Sequence, residues 1–253
     1  MKKEMSTLLL LSAVMFSGCS PDNKEDNTQE QGSGETTSEQ VTTKQNAKLI
    51  GTSANKEVNL YEVANGVKLE FNGEEKEFNW FFDNNSVLNP PQVFYTDVTG
   101  DGEEEAVIII QRGKGTGLDN YDIHVVKKDF TEIKVPDYEE IVANHIESKV
   151  IKNDDGTLGI TVKAQGKEYK FDDDSNPEPK LELEKNELGF GAITIYYLED
   201  QKIKLHLAAS VSPKLDGRVS QTFVADFFIT YKFDSAKNEF IVDQIEVKPT
   251  KTN

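Results

Sequence analysis

The sequence predicts a mainly β fold: antiparallel meanders and hairpins with one short helix, preceded by a signal peptide and a disordered linker. Three observations lead there. From Ala47 onward apolar and polar residues alternate with period two, the spacing of a half-buried strand. The alternating runs are separated by Asn-Gly, Gln-Gly and Asp-rich turns of the kind that close hairpins. The last third is dense in aromatic and β-branched residues, which suit antiparallel pairing.

In chain order, the first element is residues 1–18. Lys2 and Lys3 give a basic tip, and Thr7 to Phe16 is an apolar run of about ten residues that ends in Ser17-Gly18. This is the layout of a secretion signal, and the run is too short for a stable membrane span. It ends at Cys19, the one cysteine of the chain. With no second thiol there is no disulfide to form, so the fold must stand on its hydrophobic core.

Phe16-Ser17-Gly18-Cys19 resembles the lipobox of bacterial lipoproteins, with Phe16 in the place usually held by Leu. The resemblance implies a diacylglyceryl group on Cys19, cleavage between Gly18 and Cys19, and a protein tethered to the membrane without crossing it. Each buried acyl methylene contributes roughly 0.8 kcal/mol, so two chains suffice as an anchor. The alternative reading is an ordinary signal peptide with an incidental thiol.

Residues 19–46 form the second element. Between Ser20 and Gln45 there is no aromatic residue, and Val41 is the only aliphatic one. Such a segment cannot offset the entropy of ordering its backbone, so a disordered tether is expected. At about 5–6 Å times the square root of length, it would hold the body on the order of 25–30 Å from a bilayer. The chain carries a formal net charge of −17. Lys2, Lys3 and Glu4 give the signal run +1, so its removal leaves −18. That balance opposes nucleic acid and anionic membrane surfaces and favours divalent cations as ligands, although acidity also serves solubility alone.

Residues 47–250 form the β-rich body, with a possible subdivision near 172–180, where three aspartates and two prolines interrupt the pattern. Strands are expected at 58–63, 67–71 and 76–80 around Asn65-Gly66 and Asn72-Gly73, giving a meander. Hairpins follow at 158–163 with 167–171, at 192–197 with 203–207, and at 222–233 with 240–247. The helix is Tyr138-Glu139-Glu140-Ile141-Val142-Ala143, opened by Pro136 and capped by Asp137.

One segment, 97–105, reads as a site. Oxygen donors fall at Asp97, Thr99, Asp101 and Glu105, the first, third, fifth and ninth places of a loop. Gly102 at the sixth can turn the chain back, and the carbonyl of Glu103 at the seventh can join the set. Hard oxygens so arranged suit Ca²⁺. The twelfth place is Ile108 rather than a bidentate glutamate, which excludes an EF-hand. A turn that holds no metal is the simpler alternative.

Asp97-Val98-Thr99-Gly100-Asp101-Gly102, with Glu105 and the apolar strand after it, is similar to the FG-GAP or VCBS repeat. The resemblance implies a calcium-binding loop between two strands, with Thr99 and Glu105 standing where tighter binders carry Asp or Asn. One copy does not make a propeller. The longer stretch, with Gly113-Lys114-Gly115-Thr116-Gly117, His124-Val125-Val126 and Leu188-Gly189-Phe190-Gly191, resembles uncharacterised lipoproteins of bacilli. That implies the envelope of a Gram-positive cell and brings no activity with it.

Other motifs are less specific. Gly113–Gly117 lacks the phosphate-loop spacing and precedes a strand, so it reads as a turn. His124, His145 and His206 are scattered and read as strand residues rather than metal ligands. Ser210 and Ser212 lack a nucleophile-elbow context. Asp172, Asp173 and Asp174 read as a solvated turn. The expected function is therefore non-enzymatic: an extracytoplasmic, membrane-anchored lipoprotein that binds an unidentified protein or envelope ligand, with calcium stiffening 97–105. The alternatives are a secreted hydrolase that uses acidic residues, which requires carboxylates converging on a cleft, and a solute-binding lipoprotein, which the scarcity of helical patterns opposes.

Overall fold

The computed structural model describes residues 47–82, 89–174 and 177–250. The signal run, Cys19 and the tether lie outside the described residues. Within them the protein is mainly β, with antiparallel sheets and one α-helix.

The first sheet is a meander of four antiparallel strands, β1 (Lys48–Thr52), β2 (Val58–Val63), β3 (Gly66–Phe71) and β4 (Glu74–Phe78). The turn between β3 and β4 is the expected Asn72-Gly73, with both residues at positive φ as a twisted two-residue hairpin requires. The turn between β2 and β3 differs from expectation. Val63 pairs with Gly66, so Ala64-Asn65 form the loop and Gly66 is the first residue of β3.

The large sheet is built from β5 (Gln92–Thr96), β6 (Glu105–Gly115), β7 (Leu118–Val126), the two-residue β8 (Glu132–Ile133), and four later strands. Those four are β13 (Gly189–Glu199), β14 (Lys202–Val211), β17 (Thr222–Asp234) and β18 (Glu239–Pro249). Between the two groups run α1 (Tyr138–His145), β9 (Ile146–Lys152), β10 (Leu158–Ala164), β11 (Lys167–Asp173) and the short β12 (Glu182–Leu183). The pair β15 (Pro213–Leu215) and β16 (Arg218–Val219) is a small hairpin beside β12.

The run Ala106-Val107-Ile108-Ile109-Ile110 in β6 explains the layering. An unbroken apolar strand must be covered on both faces. Ala106, Ile108 and Ile110 join Val58, Leu60, Val67 and Leu69 of the meander in one apolar cluster. Val107 and Ile109 join a second, larger cluster with Leu158, Ile160 and Val162 of β10 and Leu205, Phe227 and Ile245 of the later strands. The meander thus covers one face of β5–β7, and the β9–β11 sheet packs on the opposite face. Leu181, beyond the 172–180 break, lies in the same larger cluster.

Helix α1 begins where expected: Asp137 Oδ1 accepts the Glu140 N–H at 2.8 Å. Two details depart from the sequence expectations. His145 ends α1 rather than lying in a strand, while Asp172 and Asp173 belong to β11. Pairing differs as well: among the described strands the ladders are antiparallel except where β13 meets β7 in parallel, and an isolated bridge between Lys134 and Glu239 is parallel too.

Candidate functional site

The parallel contact is brief. β13 and β7 share register only at Ile193↔Asp119 and Thr194↔Asn120. A bulge between Gly189 and Ile193 breaks the pairing of β13 with β14 at the same end. Past Thr194 and Asn120 no further β7–β13 pair is formed. The opening holds two adjoining cavities of about 470 and 440 Å³, which share Asp122, Asp137 and Tyr196 as walls. The first turn of α1 forms one side, so Tyr138 and Glu139 also line the crevice.

Tyr138 is wedged against Gly191 of the bulge. Gly191 sits at φ +96°, and a Cβ there would stand 2.5 Å from the Tyr138 hydroxyl oxygen. Only glycine serves both needs, a left-handed backbone and room for the ring.

Asp122 is half-buried and pairs with Arg112, Nε to Oδ2 at 3.3 Å. Burial pushes its carboxyl above the usual range against the pull of Arg112 and His124, and the Glu139 charge adds to the rise. Tyr196 is buried, and its hydroxyl is pushed up by burial first and then by the charges of Asp137, Asp122 and Glu139. Three carboxylates therefore stand close enough to one tyrosine to act on it. Tyr231, behind it, donates to the Pro136 carbonyl at 3.0 Å. Asn120 also lines the 440 Å³ cavity; its Oδ1 is buried and, among the described residues, has no hydrogen-bond partner.

The 470 Å³ cavity ends at an aromatic stack. The His124 ring lies on Trp80 with centroids 3.9 Å apart and planes 9° apart, and Trp80 in turn stacks on Phe78. Glu132 bridges the stack, Oε1 to His124 Nδ1 at 2.7 Å and Oε2 accepting from Trp80 Nε1 at 3.4 Å. Burial pushes the Glu132 carboxyl up, but the His124 bond and charge, the Trp80 N–H and Lys76 outweigh it and hold it below the usual range.

The acidic loop lies elsewhere, between β5 and β6. Asp97 accepts the N–H of Gly100 on Oδ1 at 2.6 Å and that of Gly102 on Oδ2 at 3.0 Å. Asp101 Oδ1 accepts the Glu103 N–H at 2.9 Å. Glu105 is buried; it accepts from the Val98 N–H at 3.1 Å and the Thr99 hydroxyl at 3.3 Å, and burial pushes its carboxyl up despite both bonds. Gly102 has φ +92°, the left-handed turn its position calls for. The Glu103 side chain points away, to Lys128 at 3.0 Å. The loop thus joins Thr99 to Glu105 and satisfies its carboxylates with its own N–H and O–H donors. Among the described residues no three His, Cys, Asp or Glu side chains form a set that could hold a metal ion.

The β6–β7 turn is shorter than the expected 113–117: Gly113, Lys114 and Gly115 pair with β7 as the end of β6, and Thr116-Gly117 alone form the loop. Ser210 is buried and receives a bond from Gln221 Nε2 at 3.1 Å. His206, on β14, pairs with Asp226 at 2.7 Å and stacks on Phe228. The crevice residues were missed in the sequence because they come from 112, 120–122, 137–139 and 194–196. One signal was present: Asn120, Asp122 and His124 recur at spacing two, which sets polar side chains on one face of a central strand. Against known families, curated proteins and solved structures, the chain matches none.

The wedge gives a direct prediction. Gly191→Ala should lower stability by more than about 1 kcal/mol, because it adds backbone strain to a clash. Adding Tyr138→Ala should recover part of that loss, and urea denaturation of the four proteins of the cycle gives the coupling. Fully additive losses would show that the ring and the bulge are independent.

Proposed function

We propose that this chain is an extracytoplasmic lipoprotein of a Gram-positive envelope, tethered through Cys19, that binds a ligand in the crevice between β7 and β13 without turning it over. The anchor rests on the apolar run ending at Ser17-Gly18-Cys19. The binding role rests on one observation: a walled opening where a sheet parts, lined by charged side chains and by the edges of core tyrosines. Binding is favoured over hydrolysis because two of the three carboxylates are already engaged, Asp122 by Arg112 and Asp137 by the N-terminus of α1.

A second reading is favoured by the same cleft. Carboxylates do converge there, and Asp122 is shifted toward its protonated form, as a general acid would be. A hydrolase of this kind would lose turnover in Asp122→Asn, whereas a binding protein shows none to lose. Calcium at 97–105 is a separate part of the proposal; its donors would be Asp97, Thr99, Asp101, Glu105 and the Glu103 carbonyl.

Two experiments test these parts. Fed a radiolabelled fatty acid, cells should incorporate label into this protein and keep it in the membrane fraction, and Cys19→Ala should abolish both. Label that persists in the variant, or a wild-type protein recovered unlabelled from the cytosol, contradicts the anchor. Thermal melting with calcium against chelator should show a gain of about 2.7 kcal/mol at calcium 100 times its dissociation constant. A wild type and an Asp97→Ala/Asp101→Ala variant that both ignore calcium reject the metal.

A further inference from the structure

We infer that β5 is a strand-acceptor edge: an extended, uncharged segment of a partner polypeptide pairs with it and lengthens the large sheet by one strand. This surface is separate from the crevice and does not depend on it. β5 is the last strand of the large sheet, so one row of its backbone N–H and C=O groups faces away from β6. Among the described residues no hydrogen bond reaches that row. A cleft of about 730 Å³ lies beside it. Its lining takes in residues 91–96 one after another, from both faces of the strand, and none from β6. A hollow that touches consecutive residues of one strand and not its neighbour runs along the edge, where the next strand would stand. The remaining walls are the turn after β1, at Thr52, Ala54 and Asn55, and Leu198 of β13.

Other edges are blunted. At the opposite end of the sheet the Gln165 side chain stands in for a strand beside β18, accepting the Ile245 N–H at 2.8 Å and donating to the Asp243 carbonyl at 3.1 Å. The Phe240 N–H of the same strand donates to the Lys134 carbonyl at 2.8 Å. β4, an edge of the meander, carries Glu74, Glu75, Lys76 and Glu77, all exposed. Covered or charged edges keep stray strands away. β5 instead reads Gln-Val-Phe-Tyr-Thr, β-branched and aromatic residues with no charge among them.

Charge selects the occupant. In a chain of net charge −17, none of the side chains lining this cleft is charged. A strand bearing Asp, Glu, Lys or Arg would lose water there without meeting a counter-charge, whereas Val, Thr or Tyr would pack beside Phe94 and Leu198. Backbone pairing supplies the affinity and such side chains the selectivity. A second copy of this chain fits less well, because its own β5 stands between the same walls and both bodies carry the same excess of negative charge. Residues 20–45, with Val41 as their one aliphatic residue and no aromatic, supply no such strand.

The test uses the full-length chain solubilised in detergent, with β5 amides followed by NMR hydrogen exchange and affinities measured by calorimetry. The probes are the blocked hexapeptide acetyl-Thr-Val-Thr-Tyr-Thr-Val-amide, its fully N-methylated form, a form with Glu in place of each Val, and maltotriose. At saturation the first peptide should slow exchange about tenfold at alternate β5 amides, those that do not bond to β6. It should leave the Tyr196 ring signal in the crevice unmoved. The N-methylated and acidic forms should protect nothing. Gln92→Lys, a charge set on the exposed first residue of the strand, should weaken the peptide several-fold, and Gln92→Thr should not. Equal binding of the N-methylated form would contradict strand pairing. Maltotriose moving the β5 signals while the peptides do not would overturn the polypeptide in favour of a glycan. Alternate β5 amides protected without any probe, in a chain that sediments as a dimer, would overturn it in favour of a second copy. β5 amides unchanged by every probe would overturn the site itself.

Discussion

Two neighbouring residue pairs, Ile193↔Asp119 and Thr194↔Asn120, are the whole of the parallel contact between β7 and β13. They join the half of the large sheet that carries the meander to the half built from the last four strands. A longer ladder would leave no opening; the two halves also meet at an isolated parallel bridge between Lys134 and Glu239, where the Phe240 N–H donates to the Lys134 carbonyl at 2.8 Å. The Gly189–Ile193 bulge and the Tyr138 wedge at Gly191 lie at the same place as this contact. Backbone geometry at this point therefore governs the existence of the crevice.

Electrostatics follow from that opening. The chain has a net charge of −17, and among the described residues most carboxylates lie on solvated surfaces, where their mutual repulsion is screened. The crevice differs because Asp122 and Tyr196 are partly or wholly withdrawn from water while Asp137 and Glu139 remain close. The acidic loop at 97–105 makes the opposite arrangement. Its carboxylates receive N–H and O–H bonds from their own turn, which gives the segment a structural role at the entry to β6.

Much of the body was legible because it is written in local signals. Alternation and turn residues located the hairpins β10–β11, β13–β14 and β17–β18, and Asp137 marked the start of α1. The unbroken apolar run 106–110 in β6 was visible too, and burial on both faces is its physical meaning. What stayed hidden is non-local. Strand β9 has weak alternation and is held by its seven-residue pairing with β10. The β7–β13 contact joins residues more than seventy positions apart, and no periodicity within either strand encodes it. The acidic loop drew attention as a compact motif, whereas the crevice is assembled from four separated segments. Polar residues at spacing two in β7 were its one local trace.

Amide hydrogen exchange along β13 tests the parting of the sheet most directly. Amides directed toward β14 between Ile195 and Leu198 should be protected, because that ladder is continuous. Amides of the same stretch directed toward β7 should exchange much faster, with protection returning at Ile193 and Thr194. Equal protection on both sides of β13 would mean that the strands pair along their length, leaving neither an opening nor a site.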